Sequence, residues 1–114
     1  MAEVFVQSKA GLWLQTFMYI DSGADISLFP RQFGEALGLV FPREEIREIR
    51  GIGGVGIPVI ISTIKMRVGR KTINARIACG LTEDVPLILG RMDVFDAFKV
   101  TFDQAKRVVR FQSP

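Results

Sequence analysis

The side chains best placed to do chemistry gather in one short stretch, Tyr19-Ile20-Asp21-Ser22-Gly23-Ala24-Asp25-Ile26-Ser27-Leu28. Asp21 ends an apolar run and is followed at once by a hydroxyl residue, a glycine and an alanine. Small residues there permit a tight turn and a close approach of backbone to whatever lies opposite. A carboxylate so placed can give or take a proton from a bound group. Taken alone, however, the stretch reads first as a polar turn between two strands, because Asp, Ser and Gly are ordinary turn residues.

The rest of the composition narrows the choice of chemistry. The chain of 114 residues has no histidine and one cysteine, Cys79. That excludes a Ser-His-Asp triad, a Cys-His dyad, a His-ligated metal and a CxxC site. It also excludes an intramolecular disulfide, so the fold needs no oxidising compartment. Carboxylates, lysines, hydroxyls or a bound cofactor are left to carry any reaction. Cys79 itself lies in a strand-like run and reads as a small buried apolar residue.

A second motif misleads. Gly51-Ile52-Gly53-Gly54-Val55-Gly56 satisfies G-x-G-x-x-G, the dinucleotide-binding fingerprint. That mechanism requires a helix directly after the glycines, so that a pyrophosphate sits on its N-terminus. Here Ile57-Pro58-Val59-Ile60-Ile61-Ser62 follows, which is a strand pattern. No acidic residue stands about twenty positions on, where a ribose would need it. The glycines suit the tip of a hairpin better.

The elements that must hold Asp21 are mostly strands. Residues 4–6, 12–20, 58–66 and 72–78 are rich in β-branched and aromatic side chains, with Val68-Gly69-Arg70-Lys71 as a hairpin turn between the last two. Residues 85–89 form a short apolar run of the kind buried in a sheet. Residues 99–102 and 107–111 flank Asp103-Gln104-Ala105-Lys106 as a closing hairpin. Two segments read as short helices. Residues 30–37 have Pro at the start and Gly38 just past the end. Residues 92–98 place Val94, Phe95 and Phe98 on one face. With 48% hydrophobic and 24% charged residues, and no repeat or linker, residues 1–114 read as a single domain. The pattern predicts an all-β fold, a closed or partly closed β-barrel with one or two short helices.

Fifteen Lys and Arg against twelve Asp and Glu leave a net charge of +3. The basic residues look dispersed along the chain, and a nucleic-acid surface would need them on one face with aromatic residues between. No nucleic-acid partner is therefore expected. No apolar run approaches the roughly 18 residues of a membrane span, and the first residues, MAEVFVQSK, lack the pattern of a secretory signal. The expectation is a soluble cytoplasmic protein with no membrane partner.

The stretch around Asp21 resembles the active-site motif of the retropepsins, single-domain aspartic proteases of retroviral type with cellular and prokaryotic relatives. That motif is two apolar residues, Asp, Thr or Ser, Gly, Ala, then Ser or Thr three further on, and Tyr19 to Ser27 fit throughout. Two further segments follow in the family's order. Ile49-Arg50-Gly51-Ile52-Gly53-Gly54 looks like the flap that closes over substrate. Leu87-Ile88-Leu89-Gly90-Arg91 resembles the apolar-apolar-Gly-Arg segment that precedes a C-terminal helix. The resemblance spans residues 3–111. The long segment 29–47 and the last hairpin are more similar to the cellular and prokaryotic branch than to the compact viral one.

The resemblance implies a homodimeric acid-protease barrel with a flap hairpin, needing no cofactor and no metal. Its chemistry takes two carboxylates facing one water, and this chain holds one Asp-Ser-Gly-Ala. Asp93, Asp96 and Asp103 lack the following Ser/Thr-Gly, so the second carboxylate would be Asp21 of another copy, across a two-fold axis. By the same resemblance Ser22 bonds across that axis, and Gly23 binds substrate or orients the carboxylate through its backbone. Asp25 and Arg91 form an ion pair. Gly51, Ile52, Gly53 and Gly54 of the flap present backbone groups to an extended polypeptide. The cleft is expected to draw on Ala24, Ile57, Val59 and Ile88. The implied function is an aspartic endopeptidase; the alternatives are a catalytically silent peptide-binding module and a dimeric assembly domain.

Overall fold

A computed structural model describes residues 1–50 and 56–97 in full and the backbone of residues 99–103 and 108–112. Gly51, Ile52, Gly53 and Gly54, expected to form a flap, lie outside the described residues. Nine strands form. β1 (Ala2–Gln7) and β2 (Trp13–Ile20) are an antiparallel hairpin that turns Val4, Val6 and Met18 inward by simple alternation. After the short β3 (Ser27–Phe29) come helix α1 (Arg31–Ala36) and a 3-10 turn (Arg43–Glu45). β4 (Arg47–Arg50) pairs with the start of β5 (Gly56–Val68), and β5 pairs along its length with β6 (Lys71–Gly80). The β5–β6 turn is Gly69-Arg70, with Gly69 at φ 62°, a left-handed conformation that glycine takes without strain. β7 is only Ile88–Leu89, and β8 (Lys99–Asp103) with β9 (Val108–Gln112) forms a separate hairpin.

The strand order is β1-β2-β7-β3-β6-β5-β4, and a further pairing of β1 with β5 closes the sheet on itself. Six strands thus make a ring, and β4 hangs from β5 as an additional hairpin arm. The inward side chains fill the ring: Val4, Val6, Met18, Phe29, Met66, Ile77 and Leu89 are wholly buried. Each such side chain contributes roughly 1.5–3 kcal/mol by leaving water. This is the all-β fold the sequence predicts.

α1 packs against β6. Its first turn is capped from a distance, Glu83 Oε1 accepting the Gln32 N–H at 2.7 Å. Gly38, at φ 83°, ends it. Gly34 faces β6 so closely that an added Cβ would stand 2.3 Å from Cys79 Sγ, and Cys79 is buried with its thiol pushed up to about 11 by desolvation.

The helix expected over residues 92–98 is not formed. Residues 92–97 make successive turns, with Val94 and Phe95 N–H both on the Arg91 carbonyl. Asp93 has φ 65°, which no right-handed helix accommodates. What holds it there is β6: the Asp93 carboxylate accepts the Arg76 backbone N–H at 2.9 Å and both arms of its guanidinium at 2.9 and 3.0 Å. Apolar spacing alone carries no sign of that clamp.

Candidate active site

Asp21 is the residue after β2, and its position is set by a strand from much later in the chain. β7 lies between β2, parallel, and β3, antiparallel. Tyr19 N–H donates to Leu87 C=O at 3.0 Å and Asp21 N–H to Leu89 C=O at 3.1 Å, so the pairing runs into the loop. The chain then turns sharply. Ala24 N–H reaches the Asp21 carbonyl at 3.1 Å, and Gly23 N–H donates to Asp21 Oδ1 at 2.9 Å. A Cβ at position 23 would come within 3.2 Å of that same carboxylate oxygen, so glycine keeps the carboxylate uncrowded.

The far side of the loop is fastened to residues 90–92. Arg91 N–H donates to Ala24 C=O at 3.0 Å and Met92 N–H to Asp25 C=O at 2.8 Å. Gly90 N–H donates to the Oγ of Ser27, a wholly buried hydroxyl, at 3.0 Å. This contact leaves no buried polar atom of the serine unpaired. Gly90 is pressed against the backbone of the loop: a Cβ there would lie 2.5 Å from both C and O of Ile26. Outside these bonds the Arg91 guanidinium meets the Asp25 carboxylate in an ion pair, both side chains largely exposed.

Asp21 lies in a cleft of about 740 Å³. Gly23, Ala24 and Asp25 line it beside Asp21, and Ile26, Leu28, Pro86 and Ile88 add apolar wall. The base of the β4–β5 hairpin supplies the opposite side with Ile49, Arg50 and Ile57, Ile49 and Ile57 being cross-strand partners. Of the cleft residues read from sequence, Ala24, Ile57 and Ile88 line it. Val59 does not line it and is wholly buried. Ser22 is exposed and makes no hydrogen bond among the described residues.

Several contributors were missed by sequence reasoning. Ile26, Leu28 and Pro86 line the cleft because β3 and the approach to β7 flank the loop, an adjacency visible only once β7 is inserted. Ser27 was legible as part of a motif, but its partner, 63 residues away, was not. Among the described residues no cluster of three or more Cys, Asp or Glu is arranged to hold a metal ion, and no helix is long and apolar enough to cross a membrane.

A closed ring of short strands, one strand threaded between β2 and β3, and an Asp-Ser-Gly turn at the end of β2 define a retropepsin-like fold. Solved structures agree. The chain aligns with the retroviral protease-like domain of Ddi1 from Leishmania major at a TM-score of 0.60 and 16% identity, over 97% of this chain and 87% of that one. A retropepsin-like aspartic protease from Rickettsia conorii gives 0.59 and 17%, over 89% and 84%. EIAV protease, solved with the inhibitor HBY-793, gives 0.57 and 22%, over 78% of each chain. No family model and no curated protein sequence matches the chain.

Proposed function

We propose that the protein is an aspartic endopeptidase that cleaves extended polypeptides as a homodimer, with Asp21 of each copy facing a shared water. The observation that carries this reading is the setting of Asp21. Its backbone is fixed on both sides, its carboxylate accepts one hydrogen bond among the described residues, from Gly23, and it lies in an apolar cleft in a retropepsin-like fold. In the reaction one carboxylate takes a proton from water as its oxygen attacks the scissile carbonyl carbon. The other carboxyl, protonated, donates a hydrogen bond to the developing oxyanion. Collapse of the tetrahedral intermediate breaks the C–N bond, and the proton taken from water passes to the leaving amine.

In this reading Ser22 ties the two active-site turns together across the axis, Gly23 contributes its backbone, and the Asp25–Arg91 pair steadies the loop. Gly51, Ile52, Gly53 and Gly54 close over the substrate. The apolar walls favour apolar side chains near the scissile bond.

The test is Asp21→Asn against wild type on a peptide library between pH 3 and 7, with sedimentation of both proteins. Loss of cleavage by a factor on the order of 10²–10⁴ or more, with dimer and fold intact, is the expected result. Equal cleavage by both proteins overturns it. Peptide binding without cleavage by the wild-type dimer would assign the domain to the silent peptide-binding class instead, and a strict monomer that cleaves would contradict the shared dyad.

A further inference from the structure

The outer faces of β1, β2, β5 and β6 carry a surface for which the protease reading has no use. Alternation that turns Val4, Val6 and Met18 inward sends Trp13, Phe17 and Tyr19 outward, where they are 41%, 53% and 61% exposed. The register sets Phe5 beside Arg67 of β5 and Gln7 beside Trp13 of β2. The Arg67 guanidinium lies over the Phe5 ring, 4.6 Å from its centroid, and 5.9 Å from that of Trp13. Two residues along the same face of β5, Lys65 stands opposite Asn74. With Lys9 and Gln7 these two line a second concavity of about 230 Å³ that no carboxylate borders. Across all four strands the one carboxylate is Glu3, bonded to Gln15 Nε2 at 2.7 Å, while Lys65 and Arg67 are exposed on the outer face; Arg76 is paired with Asp93 and takes no part.

We infer that this face binds single-stranded nucleic acid, with phosphates drawn to Lys9, Lys65 and Arg67 and bases stacked on the exposed rings, Trp13 first. An aromatic face accepts any base, and a line of cations beside it releases counterions from the phosphates. A second copy of the chain fits this surface less well, because an isologous contact would bring two copies of the same cationic patch together. Along the sequence these cations look dispersed. Closure of β5 onto β1 is what gathers them around the aromatic side chains of β1 and β2.

Trp13 is the only tryptophan, so its fluorescence reports on this face directly. The experiment titrates the full chain with a thymidine oligonucleotide of about 12 nucleotides at roughly 50 mM salt, then at rising salt. Saturable quenching that weakens with salt is expected. Lys65→Gln combined with Arg67→Gln should weaken binding about tenfold or more and lower the salt slope by about 2. Both side chains are exposed, and a thermal melt of the variant checks that it is folded. Arg43→Gln, on the 3-10 turn outside these strands, should bind as wild type does. The inference is overturned by absence of quenching up to about 10⁻⁴ M oligonucleotide. Undiminished binding by the folded double variant overturns it too. So does quenching that follows protein concentration alone, which would give the face to a second copy. Using the Asp21→Asn background separates this result from proteolysis.

Discussion

Two aspartates of this chain sit in irregular turns and are treated in opposite ways. Asp93 accepts three hydrogen bonds from Arg76, and that pairing holds its carboxyl at about 2, well below the ordinary 3.8. Asp21 accepts one among the described residues, from its own turn, while its backbone carries the burden of being held. A structural carboxylate has its lone pairs filled by donors. The carboxylate proposed for chemistry has its main chain fixed and its oxygens left for another molecule. The difference is local saturation rather than burial, since neither aspartate is among the buried polar residues.

That contrast can be broken by substitution. The largest effect on activity belongs to Asp21→Asn, which should leave thermal stability near wild type; Asp93→Asn should do the reverse, and matching losses of activity would erase the distinction. The largest effect on stability belongs to Gly90→Ala, because its Cβ meets backbone atoms of Ile26 that cannot swing aside. Overpacking costs about 1–3 kcal/mol, and the upper end is expected where the obstacle is backbone; it is read by denaturant unfolding, and cleavage should fall with it as the Asp21 loop is displaced. Ser27→Ala should cost about 1–3 kcal/mol by leaving the buried Gly90 N–H without its acceptor. Ser27→Thr keeps the hydroxyl and should recover most of that loss.

The Asp93 clamp shows itself in acid. A carboxyl held at about 2 against an ordinary 3.8 stabilises the fold fully above about pH 5, and the contribution fades as pH falls from there through 2. Asp93→Asn should therefore flatten that part of the acid limb in a plot of stability against pH. The smallest effect is expected from Arg91→Ala. Its ion pair with Asp25 is exposed, and such pairs are worth under about 1 kcal/mol. The backbone bonds from Arg91 and Met92 survive the change, so the loop should hold.

How legible the protein was depends on the distance over which its contacts act. β1, β2, β5 and β6 follow alternation and turn chemistry within a few residues, and their outlines were readable. Asp21 and its small neighbours were readable as a motif. Residues 92–97 were misread because Val94 and Phe95 satisfy a helical spacing while Asp93 takes a left-handed conformation set by Arg76, 17 residues earlier. Val59 was placed in the cleft because its neighbour two residues back, Ile57, belongs there. Both lie on the same face of β5, but Val59 pairs with Arg47 of β4 on one side and with Gly80 of β6 on the other and is wholly buried. The apolar run 85–89 pairs as a strand only at Ile88 and Leu89; Pro86, two residues earlier, has no N–H to give to a ladder.

The insertion of β7 between β2 and β3 also bears on time. The bonds that fasten the Asp21 turn join residues 63 and 66 positions apart, so the loop is specified early in the chain and completed late. Contacts of such separation form slowly, after local hairpins have already closed. A chain emerging from the ribosome could thus pair β1 with β2, and β5 with β6, while Asp21 still lacked its frame. The proposed active site would then stay unformed in the nascent chain until the ring was shut.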